Sequence, residues 1–165
     1  PDYLYGLGGT PEDQDQARDM IGTLKPDDIL AVSRASLKAI VKHPRCNGKV
    51  GAMGFCWGGG QVNALAVADP ALAAAVAYYG SQPKAGVENI KAPLLLHYAG
   101  LDERINAGIA NFEAALKANN KTYELYTYEG VNHAFNNDTN AARYDKAAAD
   151  LAWSRTVAFL KKYAG

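Results

Sequence analysis

Cysteine is scarce in this chain. Cys46 and Cys56 are the only two among 165 residues, too few for a disulfide framework. A bond between them would have to close across one short strand, where the Cα separation exceeds disulfide geometry. They form no C-x-x-C pair, and the three histidines complete no zinc spacing, so neither a structural disulfide nor a metal is expected. Charge of one sign is also missing. Lys plus Arg and Asp plus Glu both number 17, and no basic run or aromatic-basic interleaving offers a nucleic-acid surface. The longest uncharged stretch, Val50 to Ala68, carries five glycines plus Gln61 and Asn63, a poor membrane span. No targeting segment is visible. The glycine run after Cys56 lacks the Gly-Lys-Ser/Thr ending of a phosphate cradle. There is no internal repeat or low-complexity linker. What is there, 48% hydrophobic and 21% charged residues, is the composition of a globular domain long enough to bury a core.

The opening "PDYLYGLGGT" predicts irregular loop. Thr10, Pro11 and Asp13 then predict a helix start, with Thr10 as the cap and a short helix running to about Leu24. Lys25-Pro26-Asp27 marks a second start, after which Leu30, Ser33, Leu37 and Ile40–Val41 keep helical spacing until His43-Pro44. From there strands and helices alternate. "KVGAMGF" (49–55) predicts a strand, and Gly58 to about Ala68 a helix. A second strand is expected around Ala74 to Tyr79. "APLLLHYAG" predicts a third, buried on both faces because its apolar run is continuous. "NAGIANFEAALKAN" predicts a helix with Ile109, Phe112 and Leu116 along one side, and "KTYELYTYEG" alternates as a fourth strand. A long helix from about Ala141 to Tyr163 offers Leu151, Trp153, Val157 and Leu160 for its inner face. Strands separated by helices imply an α/β fold with a parallel sheet and right-handed crossovers.

Within that order, "GAMGFCWGGGQ" (51–61) puts a cysteine between glycines where a strand turns into a helix. That is the context of a nucleophile elbow, with cysteine in place of serine. The nucleophile sits in a strained turn, and side chains two residues to either side, at Gly54 and Gly58, would collide with it. The N-terminus of the following helix favours an oxyanion and is expected to lower the thiol pKa. The Trp57 backbone N–H is the expected oxyanion donor. A thiol needs a base and an orienting acid. Asp102 follows the third strand and His133 the fourth, in the chain order nucleophile, acid, base. Glu103 is the rival acid. His97, inside a buried strand, reads as a hydrogen-bonded core histidine, Cys46 as structural, and His43 as a helix-end residue.

"GFCWGGG", "LLLHYAGLDERI" and "YTYEGVNHAFNND" together resemble the dienelactone hydrolase family of α/β-hydrolases. The resemblance covers nearly everything from Lys49 onward, and "ARYDKAAADLAWSRTVAFL" resembles that family's terminal helix. It implies a single α/β-hydrolase domain over residues 1–165, with loop and a short helix over 1–24 and the elbow strand onward within 25–165. It implies a Cys56–Asp102–His133 triad hydrolysing a small ester or lactone through an acyl-thiol intermediate, without metal or cofactor. Members of the family are usually longer and carry strands before the elbow. Some place an arginine shortly after the base histidine, where this chain has Asn136-Asn137-Asp138.

Several side chains near these positions keep two readings each. Trp57, Tyr79 and Phe135 either line a substrate cleft or pack on the sheet, and Arg104 either binds an anionic substrate or is a solvated loop charge. A second reading of the whole chain also stands: an inactive portion of a hydrolase acting as a subunit or binding module. No strand is expected before Lys49. The outer edge of strand 49–54 is therefore expected to be bare or paired with material outside residues 25–165, supplied by missing N-terminal strands or a partner chain.

Overall fold

A computed structural model describes residues 1–165. Four parallel strands form one sheet in the order β1-β2-β3-β4. They are β1 (Gly51–Phe55), β2 (Ala74–Tyr78), β3 (Leu94–Ala99) and β4 (Tyr123–Tyr128). The register pairs Gly54 with Ala77, Val76 with Leu95, and His97 with Tyr126. The helices are α1 (Gln14–Gly22), α2 (Pro26–Val41), α3 (Trp57–Ala68), α4 (Glu103–Asn106), α5 (Ile109–Ala118) and α6 (Lys146–Ala164).

Side-chain alternation along β2 and β3 splits the core into two layers. Ala75, Ala77, Leu94, Leu96 and Tyr98 face α2, α3 and α5, meeting Leu37, Leu65, Phe112 and Leu116. Ala74, Val76, Tyr78, Leu95 and Ala99 face α6, meeting Ala148, Ala152 and Phe159. Both central strands are buried along their whole length, which explains their unbroken apolar sequence. β1 pairs with β2 alone, and no strand covers its outer edge. No helix is long and apolar enough to cross a membrane.

Three expectations change. The first helix starts at Gln14 with Asp13 as its cap, the carboxylate accepting from Gln16 N–H at 2.7 Å, while Thr10 donates its hydroxyl to Asp2. Next, a one-turn helix, α4, precedes α5 because Asp102 caps it. The third change concerns α6, which starts at Lys146 and turns its small residues inward. Ala148, Ala149, Ala152, Thr156 and Phe159 are buried, whereas Leu151 and Trp153 are 46% and 49% exposed. Alanines let the helix approach the sheet closely. At Gly51 even a Cβ would come within 2.8 Å of Leu160.

Candidate active site

Cys56 stands between β1 and α3 with φ 53° and ψ −120°, a backbone conformation unfavourable for a residue with a Cβ. Its N–H donates to the Tyr78 carbonyl at 3.1 Å, tying the turn to the end of β2. A Cβ at Gly54 would lie 2.2 Å from the Gly58 carbonyl oxygen, so this position of the strand must be glycine. The second obligatory glycine is Gly59 rather than the expected Gly58. A Cβ on Gly59 would meet the Tyr78 oxygen at 2.7 Å, whereas one on Gly58 would meet nothing within 4 Å. As N-cap of α3, Cys56 makes no side-chain capping bond, which leaves its sulfur free for another partner.

That partner is His133. Its Nε2 lies 3.1 Å from Cys56 Sγ, and its Nδ1 lies 2.5 Å from Asp102 Oδ2. The hydrogen-bond pattern assigns the Nδ1–H to the carboxylate and leaves the Nε2 lone pair facing the thiol. Asp102 is buried, 7% exposed. Its other oxygen, Oδ1, accepts from the Ile105 N–H at 3.3 Å as the cap of α4. One carboxylate thus fixes both a helix start and an imidazole. Glu103, one residue on, points into solvent and takes neither contact. Burial pushes the Cys56 thiol above its ordinary pKa; Arg143 and Arg104 pull it down and Asp102 pushes it up, with a net rise. Desolvation is the largest of these influences, so the expected lowering of the thiol pKa is not found.

The Trp57 N–H belongs to the first turn of α3, where backbone donors have no intrahelical acceptor. Its indole is 39% exposed, packs edge-on against Tyr3 at 5.3 Å, and borders a cleft of about 760 Å³ shared with Ile21, Leu24, Ile29 and Gln61. Arg104 is exposed and lines a second hollow, about 420 Å³, with His133, Asn132 and Arg143. Arg143 was not singled out by the sequence: it opens the stretch expected to be the terminal helix, but it lies in the irregular loop before α6, which starts at Lys146. Tyr79 and Phe135 do not line a cleft surface. They are 2% and 0% exposed and lie behind the imidazole, the Tyr79 ring 4.8 Å from His133 and 5.5 Å from Phe135. His97 is fully buried and Cys46 sits at the far end of β1; neither joins the site.

The sequence profile of the dienelactone hydrolase family matches residues 1–164. A Saccharolobus solfataricus protein, provisionally named a carboxymethylenebutenolidase, is 40% identical over 116 residues, which cover 69% of this chain and 44% of that protein. The protein usf of Aquifex pyrophilus is 32% identical over 170 residues, covering 99% of this chain and 73% of its own length. Among solved structures, a provisionally identified dienelactone hydrolase from Klebsiella pneumoniae superposes with a TM-score of 0.79 at 28% identity, covering 87% of this chain and 64% of that one. Against the S. solfataricus relative, then, the chain spans under half the length.

Proposed function

Because the chain belongs to the dienelactone hydrolase family, we propose that it hydrolyses a small carboxylic ester or lactone with Cys56 as nucleophile, His133 as base and Asp102 as orienting acid. The observation that carries this reading is the single imidazole bridging a thiol at 3.1 Å and a buried carboxylate at 2.5 Å. His133 Nε2 takes the thiol proton as Cys56 Sγ attacks the carbonyl carbon. The carbonyl π pair moves to oxygen, where the Trp57 N–H donates to it. Collapse of the tetrahedral species breaks the C–O bond, and the imidazolium returns its proton to the departing oxygen. Water, deprotonated by the same Nε2, then attacks the acyl-thioester; collapse of this second tetrahedral species breaks the C–S bond, and the imidazolium returns its proton to Cys56 Sγ as the acid leaves. Asp102 holds the tautomer throughout and stabilises the imidazolium. Arg104 and Arg143 supply positive charge beside this centre for an anionic group on the substrate.

A p-nitrophenyl ester assay on the purified protein tests the reading. Cys56→Ala removes hydrolysis, and iodoacetamide labels Cys56 before Cys46. Asp102→Asn lowers the rate by about 10⁴-fold, as expected when the imidazole tautomer is lost, while Glu103→Gln leaves it unchanged. Full activity in Cys56→Ala with equal labelling of the two cysteines refutes it.

One observation favours a second reading. The outer edge of β1 offers unpaired backbone N–H and C=O groups, suited to receiving a strand from further polypeptide or from a partner chain. On this reading the chain is a subunit that becomes active, with a second oxyanion donor, only once that strand is in place. An inert purified chain that gains esterase activity in such a complex selects it.

A further inference from the structure

Backbone strain in this molecule is gathered around one imidazole. Four residues other than glycine have positive φ: Cys56 (53°), Tyr79 (38°), Asn120 (51°) and Ala134 (68°). Asn120 lies in the turn between α5 and β4 and is of a type that tolerates this region. The other three surround His133: Cys56 is its partner, Ala134 its chain neighbour, and Tyr79 the residue whose ring it rests on. Each such conformation is unfavourable and persists only where surrounding structure imposes it.

At Tyr79 the surroundings that impose it are visible. Its N–H donates to the His97 carbonyl at 2.6 Å, continuing the β2–β3 ladder one residue beyond β2. The next residue, Gly80, is pressed so closely on α3 that a Cβ there would meet the Gly59 carbonyl carbon at 2.3 Å. Between those two constraints the chain turns left-handed and sends the Tyr79 side chain back under the histidine loop. The ring lies 4.8 Å from the imidazole, tilted by 55°, and meets Phe135 edge-on at 5.5 Å and Phe55 at 6.3 Å. The Asn136 backbone lies near its hydroxyl. Burial, with the Cys56 sulfur nearby, keeps this phenol protonated far above neutral pH.

We propose that Tyr79 is a positioning residue for His133: its ring is the wall that fixes the imidazole against Cys56 and Asp102. The two hydrogen bonds of His133 hold its ring nitrogens but leave the ring free to tilt toward either face. A wall on one face removes that freedom. Its removal moves Nε2 out of line with the thiol, and misplacement by about 1 Å costs on the order of 10²-fold in rate. Both ring nitrogens of His133 bond elsewhere, to Asp102 and Cys56, so the ring without the hydroxyl suffices for alignment. Sequence position alone could not distinguish this from a tyrosine facing substrate, because the left-handed backbone reverses the direction in which the side chain leaves the strand.

This inference rests on the proposed roles of Cys56 and His133, and its test separates the two. Tyr79→Leu keeps a buried apolar side chain but no flat wall; Tyr79→Phe restores the wall without the hydroxyl. For Tyr79→Leu, kcat on a p-nitrophenyl ester falls about 10²-fold with KM unchanged. The pH dependence of Cys56 alkylation shifts to lower pH as water reaches the thiol. Tyr79→Phe recovers kcat and the wild-type alkylation profile. Melting curves measured alongside show whether each variant is folded. A folded Tyr79→Leu with wild-type kcat and alkylation profile overturns the proposal, as does Tyr79→Phe as impaired as Tyr79→Leu. Full activity in Cys56→Ala instead overturns the underlying reading of the site.

Discussion

His133 follows β4 and His97 lies within β3, and each holds a polar partner on both ring nitrogens. His133 sits beyond the end of β4 with its side chain 23% exposed, between a thiol and a carboxylate. His97 sits inside β3 with no exposure, its Nδ1 accepting from the Tyr128 hydroxyl at 2.9 Å and its Nε2–H donating to Thr156 Oγ1 at 3.1 Å. Arg155 donates to the same Tyr128 oxygen, and Thr156 also bonds the Tyr78 hydroxyl, so a hydrogen-bonded chain ties β2, β3 and β4 to α6. Burial first, and Arg155 second, drive the His97 pKa down to about 3. The difference teaches what makes a histidine reactive in this fold. Two hydroxyls in a dry core hold one imidazole neutral; the other lies between a thiol and a carboxylate with access to water, the arrangement the proposed mechanism uses.

Exchanging the losses gives the sharpest contrast. His133→Ala lowers kcat/KM by about 10²–10⁴-fold, the usual scale for a positioned base, with the melting temperature little changed because the residue is part-exposed at a loop. His97→Leu does the reverse. It leaves the Tyr128 and Thr156 hydroxyls each short of a partner, which destabilises by about 1–3 kcal/mol, and leaves the rate per folded molecule intact. Thermal melts and ester hydrolysis on both variants check this. A His97→Leu variant that is stable and inactive would dissolve the distinction.

The pH dependence of stability is a smaller effect and isolates the same pair of environments. The folded His97 stays neutral until about pH 3, whereas in the unfolded chain it takes up a proton near its ordinary value of 6.5. Its depressed pKa therefore contributes stability that is fully present above pH 6.5 and is lost progressively as the pH falls toward 3. Urea unfolding of wild type and His97→Leu across that window gives a stability–pH slope that is steeper for wild type. Parallel slopes would mean that His97 is charged in the fold.

Much of this arrangement is legible in the sequence because it rests on short-range rules. The continuous "PLLLHYA" gave a strand buried on both faces, glycine at 54 marked a turn too tight for a Cβ, and Asp102 and His133 fell in strand-end loops by chain order alone. What was illegible depends on distance and direction. The inner face of α6 is alanine, so residue size misled where spacing would have served: Ala148, Ala152, Thr156 and Phe159 keep the helical period, and Leu151 and Trp153 do not. Arg143 reaches the site through a long irregular loop. Whether Gly58 or Gly59 is obligatory turns on the approach of β2 and Gly80, a tertiary fact with no local trace.

That last pair yields the smallest expected effect, and it sharpens the line between the tightly packed and the open parts of the site. Gly58 lies in the first turn of α3 with helical φ, and a Cβ there meets nothing within 4 Å. Alanine restricts the unfolded chain more than glycine does, so Gly58→Ala stabilises by about 0.4–1 kcal/mol. The Trp57 N–H and the Cys56 turn are untouched, so kcat/KM stays at its wild-type level. At Gly59 the same methyl would press on the Tyr78 oxygen at 2.7 Å and the Gly80 Cα at 3.0 Å. Gly59→Ala must push α3 away from the end of β2, shifting Cys56 relative to Tyr79 and His133, and it loses both stability and rate. Denaturation midpoints and ester hydrolysis for the two variants decide it. If Gly58→Ala proves as damaging as Gly59→Ala, the space beside the first turn of α3 is occupied in the folded protein, and the strand-receiving edge of β1 next to it is the place to look for the occupant.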